Sequence, residues 1–164
     1  MFEGCKRSRA AAGGAVLGLL VATGCGGDEE AGPAEVSRFV GTWDITEGSA
    51  MANCGGLDVD QTLVGEVIEV QAAGGGLVAD VRGCPLELTV GGGVAMARTG
   101  QTCNTTFVVS GLTTPIVLTV TSATFSVDGE NGALVQSGTA TATSVVQATC
   151  QFEAQATGKR RPPG

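Results

Sequence analysis

Strict alternation of apolar and polar residues is the feature that most constrains how this chain can fold. Apolar residues occupy every second position from Val146 to Ala156 and alternate with Gln, Thr and Glu. Side chains of a β-strand point to opposite faces in turn, so this pattern predicts a strand with one buried and one solvated face. Nearer the N-terminus, Phe39, Trp43 and Ile45 share one face in the same way. The fold class is therefore predicted to be all-β.

Glycine-rich turns separate the strand-like runs at short intervals, at residues 74–76, 91–93, 111–115 and 128–132. Glycine permits the positive φ of tight hairpins. We therefore expect about eight or nine short strands in one antiparallel up-and-down arrangement, closed as a β-barrel or folded as a sandwich. The barrel is favoured because closure hides strand edges that Thr- and Val-rich segments would otherwise expose.

One strand-like run changes the phase of its alternation. Its apolar residues occupy even positions up to Val120 and odd positions from Ala123 onward. One extra residue near Thr121 or Ser122 would produce this switch, so the sequence predicts a β-bulge there.

The N-terminal stretch has the order of a secretion signal. A basic start at Lys6, Arg7 and Arg9 precedes an uncharged stretch from Ala10 to Gly24. A helix of that length would span about 22 Å, short of the roughly 30 Å hydrocarbon core of a bilayer. A permanent membrane-spanning helix is therefore disfavoured.

Residues 21–25, VATGC, resemble the lipobox of bacterial lipoproteins, in which small residues precede a cysteine that is lipidated and becomes the mature N-terminus. The resemblance implies that residues 1–24 are a signal peptide and that acyl chains on Cys25 anchor the protein in a membrane. The residue after the cysteine is Gly26 rather than Asp, which resembles lipoproteins that are sorted to the outer membrane. The expected location is therefore the bacterial cell envelope, lipid-anchored at the outer membrane. A plain secretory signal that leaves Cys25 unmodified is the alternative.

The rest of the chain divides by composition. Residues 25–37 are acidic, contain Gly and Pro, and are poor in apolar residues, which predicts a flexible tether. Residues 38–157 are long enough for one β domain with a core of its own. Residues 158–164, GKRRPPG, are expected to form a short basic tail.

The cysteine count favours two disulfides. Cys5 would leave with the signal and Cys25 would carry lipid, which leaves four: Cys54, Cys84, Cys103 and Cys150. An even number in an exported chain indicates disulfides, although sequence allows three pairings. We favour Cys84 with Cys103, which flank an apparent hairpin, and Cys54 with Cys150, which would tie the start of the domain to its last strand. Zinc is disfavoured because the chain has no histidine and these cysteines have no C-x₂₋₄-C spacing.

The stretch FVGTWDI is similar to the G-x-W signature in the first strand of lipocalins and related small barrels, with Gly41 and Trp43 at the matching positions. The resemblance implies that a basic side chain near the C-terminus, Lys159 or Arg160, packs over Trp43 at the closed end of a barrel. From the residues alone, Trp43 is expected to be a core anchor.

The composition argues against an enzyme. The chain has no histidine and no tyrosine, so a Ser-His-Asp or Cys-His arrangement cannot be built. Acidic residues such as Glu66 and Glu153 fall mostly on the wet faces of predicted strands. No cofactor is expected either: the Asp58–Asp60 pair and the turn at 128–132 offer oxygen ligands for calcium but lack the remaining EF-hand positions.

Charge limits the possible partners. Without residues 1–24 the chain has six basic and fifteen acidic residues, a net charge of −9, which disfavours binding to nucleic acid. Two functions remain. One is a structural or protein-interaction lipoprotein of the envelope, and the other is a barrel that binds a small apolar ligand. The first is favoured because binding pockets are usually rich in aromatic residues, and this chain has one Trp and five Phe.

Overall fold

The computed structural model describes residues 32–56, 58–109, 111–143 and 148–162. Cys25 and the predicted signal peptide lie outside these residues. The elements are α1 (Pro33–Ser37), β1 (Gly41–Asn53), β2 (Asp58–Thr62), β3 (Val67–Ala73), β4 (Gly76–Val81), β5 (Cys84–Gly91), β6 (Val94–Ala97), β7 (Gln101–Val109), β8 (Leu112–Asp128), β9 (Asn131–Ala142) and β10 (Thr149–Arg160). In this part of the chain, no helix is long and apolar enough to cross a membrane.

The predicted all-β antiparallel class is confirmed. Every strand pairing among the described residues is antiparallel, and the ten strands form a single sheet rather than two packed sheets. The sheet closes in a ring, because β10 pairs with β9 on one side and with β1 on the other. Ten strands form instead of eight or nine, since β2 and β7 stand off the main path of the ring.

Two long strands change partner along their length. β1 pairs with β3 through residues 41–44 and with β2 through residues 49–53. β8 pairs with β6 at residues 124–126 and with β7 at residues 112–120. We call the end of the ring at the start of β1 the Trp43 end and the end at the start of β8 the open end. The strands β2 and β7 lie toward the open end.

The predicted bulge in β8 is confirmed. The register between β8 and β9 shifts between Val120 and Ser122. Val120 and Ala123 are both buried, whereas Thr121 between them is exposed. The extra residue keeps apolar side chains inside on both halves of the strand.

Both ends of the domain extend beyond the expected boundaries. Helix α1 forms inside the stretch expected to be tether, because Pro33 presets the first helical φ and Val36 is buried against the core. Strand β10 continues past residue 157 to Arg160, because Gly158 and Arg160 pair with β1. The stretch expected to be a basic tail therefore begins as sheet.

Two disulfides join the cysteines in the pairs favoured by the sequence. Cys54 and Cys150 have Cα atoms 4.2 Å apart and link the end of β1 to the start of β10. Cys84 and Cys103 have Cα atoms 5.2 Å apart. They link β5 to β7, two strands that are not hydrogen-bonded neighbours in the sheet. The second disulfide thus holds β7 against the ring rather than closing one hairpin.

Candidate functional site

The Trp43 end of the ring is filled by aromatic side chains. The rings of Trp43 and Phe125 meet edge to face with centroids 5.3 Å apart, and Phe39 lies 6.1 Å from Phe125. The indole Nε1 of Trp43 donates a hydrogen bond of 3.0 Å to the Phe39 carbonyl, which satisfies its only polar atom. This end is packed core, with Phe39, Trp43 and Phe125 fully buried.

Arg160 covers this aromatic cluster from outside. Its guanidinium carbon lies 4.6 Å from the centre of the Trp43 ring, and its Nη2 donates to the carbonyl of Arg38. Gly41 has a φ of +142°, which side chains rarely allow, and its backbone runs directly beneath the Arg160 stem. The structure thus brings Gly41, Trp43 and Arg160 together, whereas Lys159, the other basic candidate, is exposed.

An exposed ion pair lies beside this cluster. Arg161 donates two hydrogen bonds to the carboxylate of Asp44. These hydrogen bonds and the positive charge of Arg161 lower the pKa of Asp44, and the same contacts raise the pKa of Arg161. The pair joins the residue after β10 to β1, so it fastens the C-terminal strand.

The open end contains an apolar cavity of about 210 Å³, which we call the outer cavity. Its walls come from β1, β2, β7, β8 and β9, with the Cys54–Cys150 disulfide on one side and Phe107 on another. Alanines make up much of the lining, at positions 52, 140, 142 and 148. Their short side chains do not meet across the ring, which leaves the space unfilled. For comparison, a cavity of about 150 Å³ holds benzene.

A second, smaller cavity lies deeper in the ring, toward Trp43. This inner cavity has a volume of about 50 Å³, and Phe107 lines both cavities. Gln136 of β9 projects into it and is 7% exposed, the one buried polar residue in the described part of the chain. Its sheet neighbours Ala123 and Ala154 are small, which gives its carboxamide room inside. The carboxamide makes no hydrogen bond to another described residue, and its polar atoms are accessible from the cavity, where water or a guest can bind them.

Strands β5 and β7 lie side by side without main-chain hydrogen bonds between them, and side chains connect them instead. The carboxamide of Gln101 accepts a hydrogen bond of 2.7 Å from the Glu87 N–H and donates one of 2.8 Å to the Glu87 carbonyl. The Thr105 hydroxyl donates to the carbonyl of Arg82 at 3.2 Å. Arg82 lines the inner cavity, and its Nε lies 3.5 Å from a Glu66 carboxylate oxygen. The cavity wall on this side is therefore made of side-chain contacts and one disulfide.

The hairpin of β7 and β8 exposes apolar side chains beside the open end. Val108 is 47% exposed and Leu112 is 72% exposed. Exposed apolar side chains that cluster often mark a surface that contacts another protein. Elsewhere among the described residues, no group of three or more Asp, Glu, Cys or His side chains is arranged to hold a metal ion.

The sequence predicted the disulfide cysteines that line the cavities but did not single out Gln136 or the lining alanines. A signal for Gln136 exists, because Leu134, Gln136, Gly138 and Ala140 form an alternating inward set that contains one amide. The cavities themselves depend on which alanines face each other across the closed ring.

Comparison of the chain with protein-family models, with curated proteins and with solved structures finds no match.

Proposed function

We propose that this protein is a lipid-anchored binding module of the bacterial cell envelope that holds a small apolar molecule in the outer cavity. The observation that carries the proposal is that cavity, about 210 Å³ in volume and walled by alanines, Ile116, Phe107 and a disulfide. Apolar walls with few polar groups are typical of small-molecule sites. The role is binding without catalysis.

The envelope location is supported by residues 21–25 and by the disulfides. The stretch VATGC resembles a lipobox, and two disulfides suit an oxidising compartment outside the cytoplasm. Intact-mass analysis of the protein from its native envelope tests the anchor. We expect a chain that begins at Cys25 and carries the mass of two or three acyl chains. An unacylated start, or a chain that retains residues 1–24, would overturn this part of the proposal.

Ligand binding is tested with toluene, an apolar molecule one methyl group larger than benzene, which the outer cavity has the volume to hold. The protein used is the chain from Gly26 onward with both disulfides formed, because all residues of the ring lie within it. Calorimetry and chemical-shift titration are expected to show saturable binding to residues at the open end. Ala140→Leu adds about three carbons to the cavity wall and should abolish it, whereas Val135→Leu on the outer face of β9 should not. Absence of saturable toluene binding by the unaltered protein would refute the proposal.

The β7–β8 hairpin tip favours a second candidate function, contact with another envelope protein. Val108 and Leu112 are exposed at its tip. Native mass spectrometry of the lipoprotein extracted from its own envelope would test this role. A stoichiometric partner that is lost in the Val108→Thr/Leu112→Thr double variant would support it, and recovery of the same partner with the variant would exclude this surface.

A further inference from the structure

We infer that the natural ligand is a neutral amphiphile, with an apolar body in the outer cavity and one hydrogen-bonding group that reaches Gln136 in the inner cavity. This inference rests on the proposed function. It adds the chemical class of the ligand and the residue that recognises it.

The first step is the unusual position of Gln136. The carboxamide has no hydrogen-bond partner among the described residues, and its polar atoms are accessible from the inner cavity that it lines. Water or a ligand group in that cavity can therefore satisfy it. The β8–β9 register keeps Gln136 inside and turns Val135, which is 50% exposed, outward. A one-residue shift would reverse these two side chains. The observed register therefore places the polar Gln136 inside the ring and the apolar Val135 outside it.

The second step is the arrangement of the two cavities along the same strands. The outer cavity is lined by Ala52, Ile116 and Cys150, and the inner cavity by the next inward residues Ala50, Leu118 and Phe152. Phe107 borders both spaces and is half-buried. Its strand, β7, has main-chain pairing only with β8 among the described strands. Phe107 is therefore the residue at which the two cavities meet.

The third step is size and charge. An inner cavity of about 50 Å³ is too small for a ligand body but accommodates a hydroxyl, carbonyl or amide group. Gln136 supplies a donor and an acceptor without charge. The Arg82 guanidinium at the same cavity already faces Glu66 and the Gln61 carboxamide, and the acidic surface repels anions. A neutral polar group is therefore the best match.

The test compares toluene with benzyl alcohol, which adds one hydroxyl to the same ring. The dissociation constants of both are measured by calorimetry for the unaltered protein and for Gln136→Leu. We expect the preference for benzyl alcohol relative to toluene to fall about three- to tenfold in Gln136→Leu, the size of one hydrogen bond. The matched control, Gln155→Leu, replaces an exposed glutamine of β10 and should leave the preference unchanged.

A measurement on the unaltered protein covers the case in which Gln136→Leu does not fold. The side-chain NH₂ resonances of Gln136 should shift with benzyl alcohol and stay in place with toluene. If toluene binds but neither the preference nor these resonances respond to the hydroxyl, the inference is overturned and the proposed function stands. If neither molecule binds, the proposed function itself fails.

Discussion

At the scale of single residues, the Trp43 end shows how one side chain can do several tasks. Arg160 ends the last strand, covers the Trp43 ring with its guanidinium and donates to the Arg38 carbonyl. Its Nε is buried without a hydrogen-bond partner among the described residues. The attraction between the guanidinium and the Trp43 ring beneath it offsets part of this cost.

We predict that Arg160→Met lowers the free energy of unfolding by about 1–2 kcal/mol, because the variant keeps an apolar cover but loses the cation–π contact and the hydrogen bond. Urea unfolding followed by Trp43 fluorescence measures the change. Lys159→Met is the matched control and should stay within about 0.5 kcal/mol, since its side chain is exposed. Equal effects of the two substitutions would contradict the assigned role of Arg160.

The Asp44–Arg161 pair has a defined pH dependence. The folded-state pKa of Asp44 is lowered by the hydrogen bond and charge of Arg161, so its stabilising effect is complete above the unfolded value of about 3.9 and is lost as pH falls through the folded value. We predict that Arg161→Gln raises the pKa of Asp44 in a carbonyl NMR titration. The stability difference between the two proteins should vanish toward pH 2. A pKa of Asp44 unchanged by the substitution would show that the pair is absent in solution.

At the scale of elements, β8 is the strand on which the ring depends. It pairs with β9 over its length and with β7 and β6 in succession on its other edge. The bulge at Thr121 lets both halves keep their apolar residues inside. Without that extra residue, one half of the strand would turn its apolar side chains to solvent.

Deletion of Thr121 should therefore destabilise the protein by more than about 4 kcal/mol or prevent folding, because it turns inward residues such as Phe125 outward. Thr121→Ala removes only an exposed side chain and should change stability by less than about 0.5 kcal/mol. Circular dichroism and urea unfolding of both variants provide the comparison. A deletion variant as stable as Thr121→Ala would mean that β8 can slip without cost.

Strand β7 is held by β8, one disulfide and side-chain bridges. Replacing Cys84 and Cys103 by alanine releases a loop with a sequence separation of 19, and chain-entropy arguments give a loss of about 3 kcal/mol. The corresponding replacement of Cys54 and Cys150, with a separation of 96, should cost about 4–5 kcal/mol.

Hydrogen exchange shows which part of the protein is destabilised when the Cys84–Cys103 disulfide is removed. Amides of β7 should lose protection in the Cys84→Ala/Cys103→Ala variant before those of β9, because β9 keeps both strand partners. Uniform loss of protection along the chain would show that β7 does not unfold separately from the rest of the sheet.

At the scale of the whole molecule, local pattern predicted the strands and their antiparallel arrangement but not where β1 and β8 change partners. The alternation before and after Thr121 indicated both the strand and its bulge, since side-chain parity is a property of neighbouring residues. The partners of β8 could not be predicted from this parity, because β6 and β7 share one edge of β8 and their positions along it depend on the three-dimensional fold. The short helix α1 was missed because Pro33 alone is a weak signal for a five-residue helix, and the packing of Val36 on the core is not visible in the sequence.

The candidate site was less predictable than the fold. Gly41, Trp43 and Arg160 could be expected together from the resemblance to small barrels, and the disulfide pairs from parity and position. The outer cavity could not, because alanines that face each other across a ring can either close it or leave it open, and only the ring diameter decides. Gln136 lacked a signal strong enough to separate it from the other polar residues of strand-rich sequence.

The chain enters the ring at the Trp43 end, where α1 precedes β1. With the proposed anchor at Cys25, six residues separate it from Gly32, and the seven residue-to-residue steps span at most about 25 Å. An anchor there would hold the Trp43 end nearer to the bilayer than the open end, which contains the outer cavity. In that arrangement a ligand of the outer cavity would enter from the side of the molecule farther from the lipid.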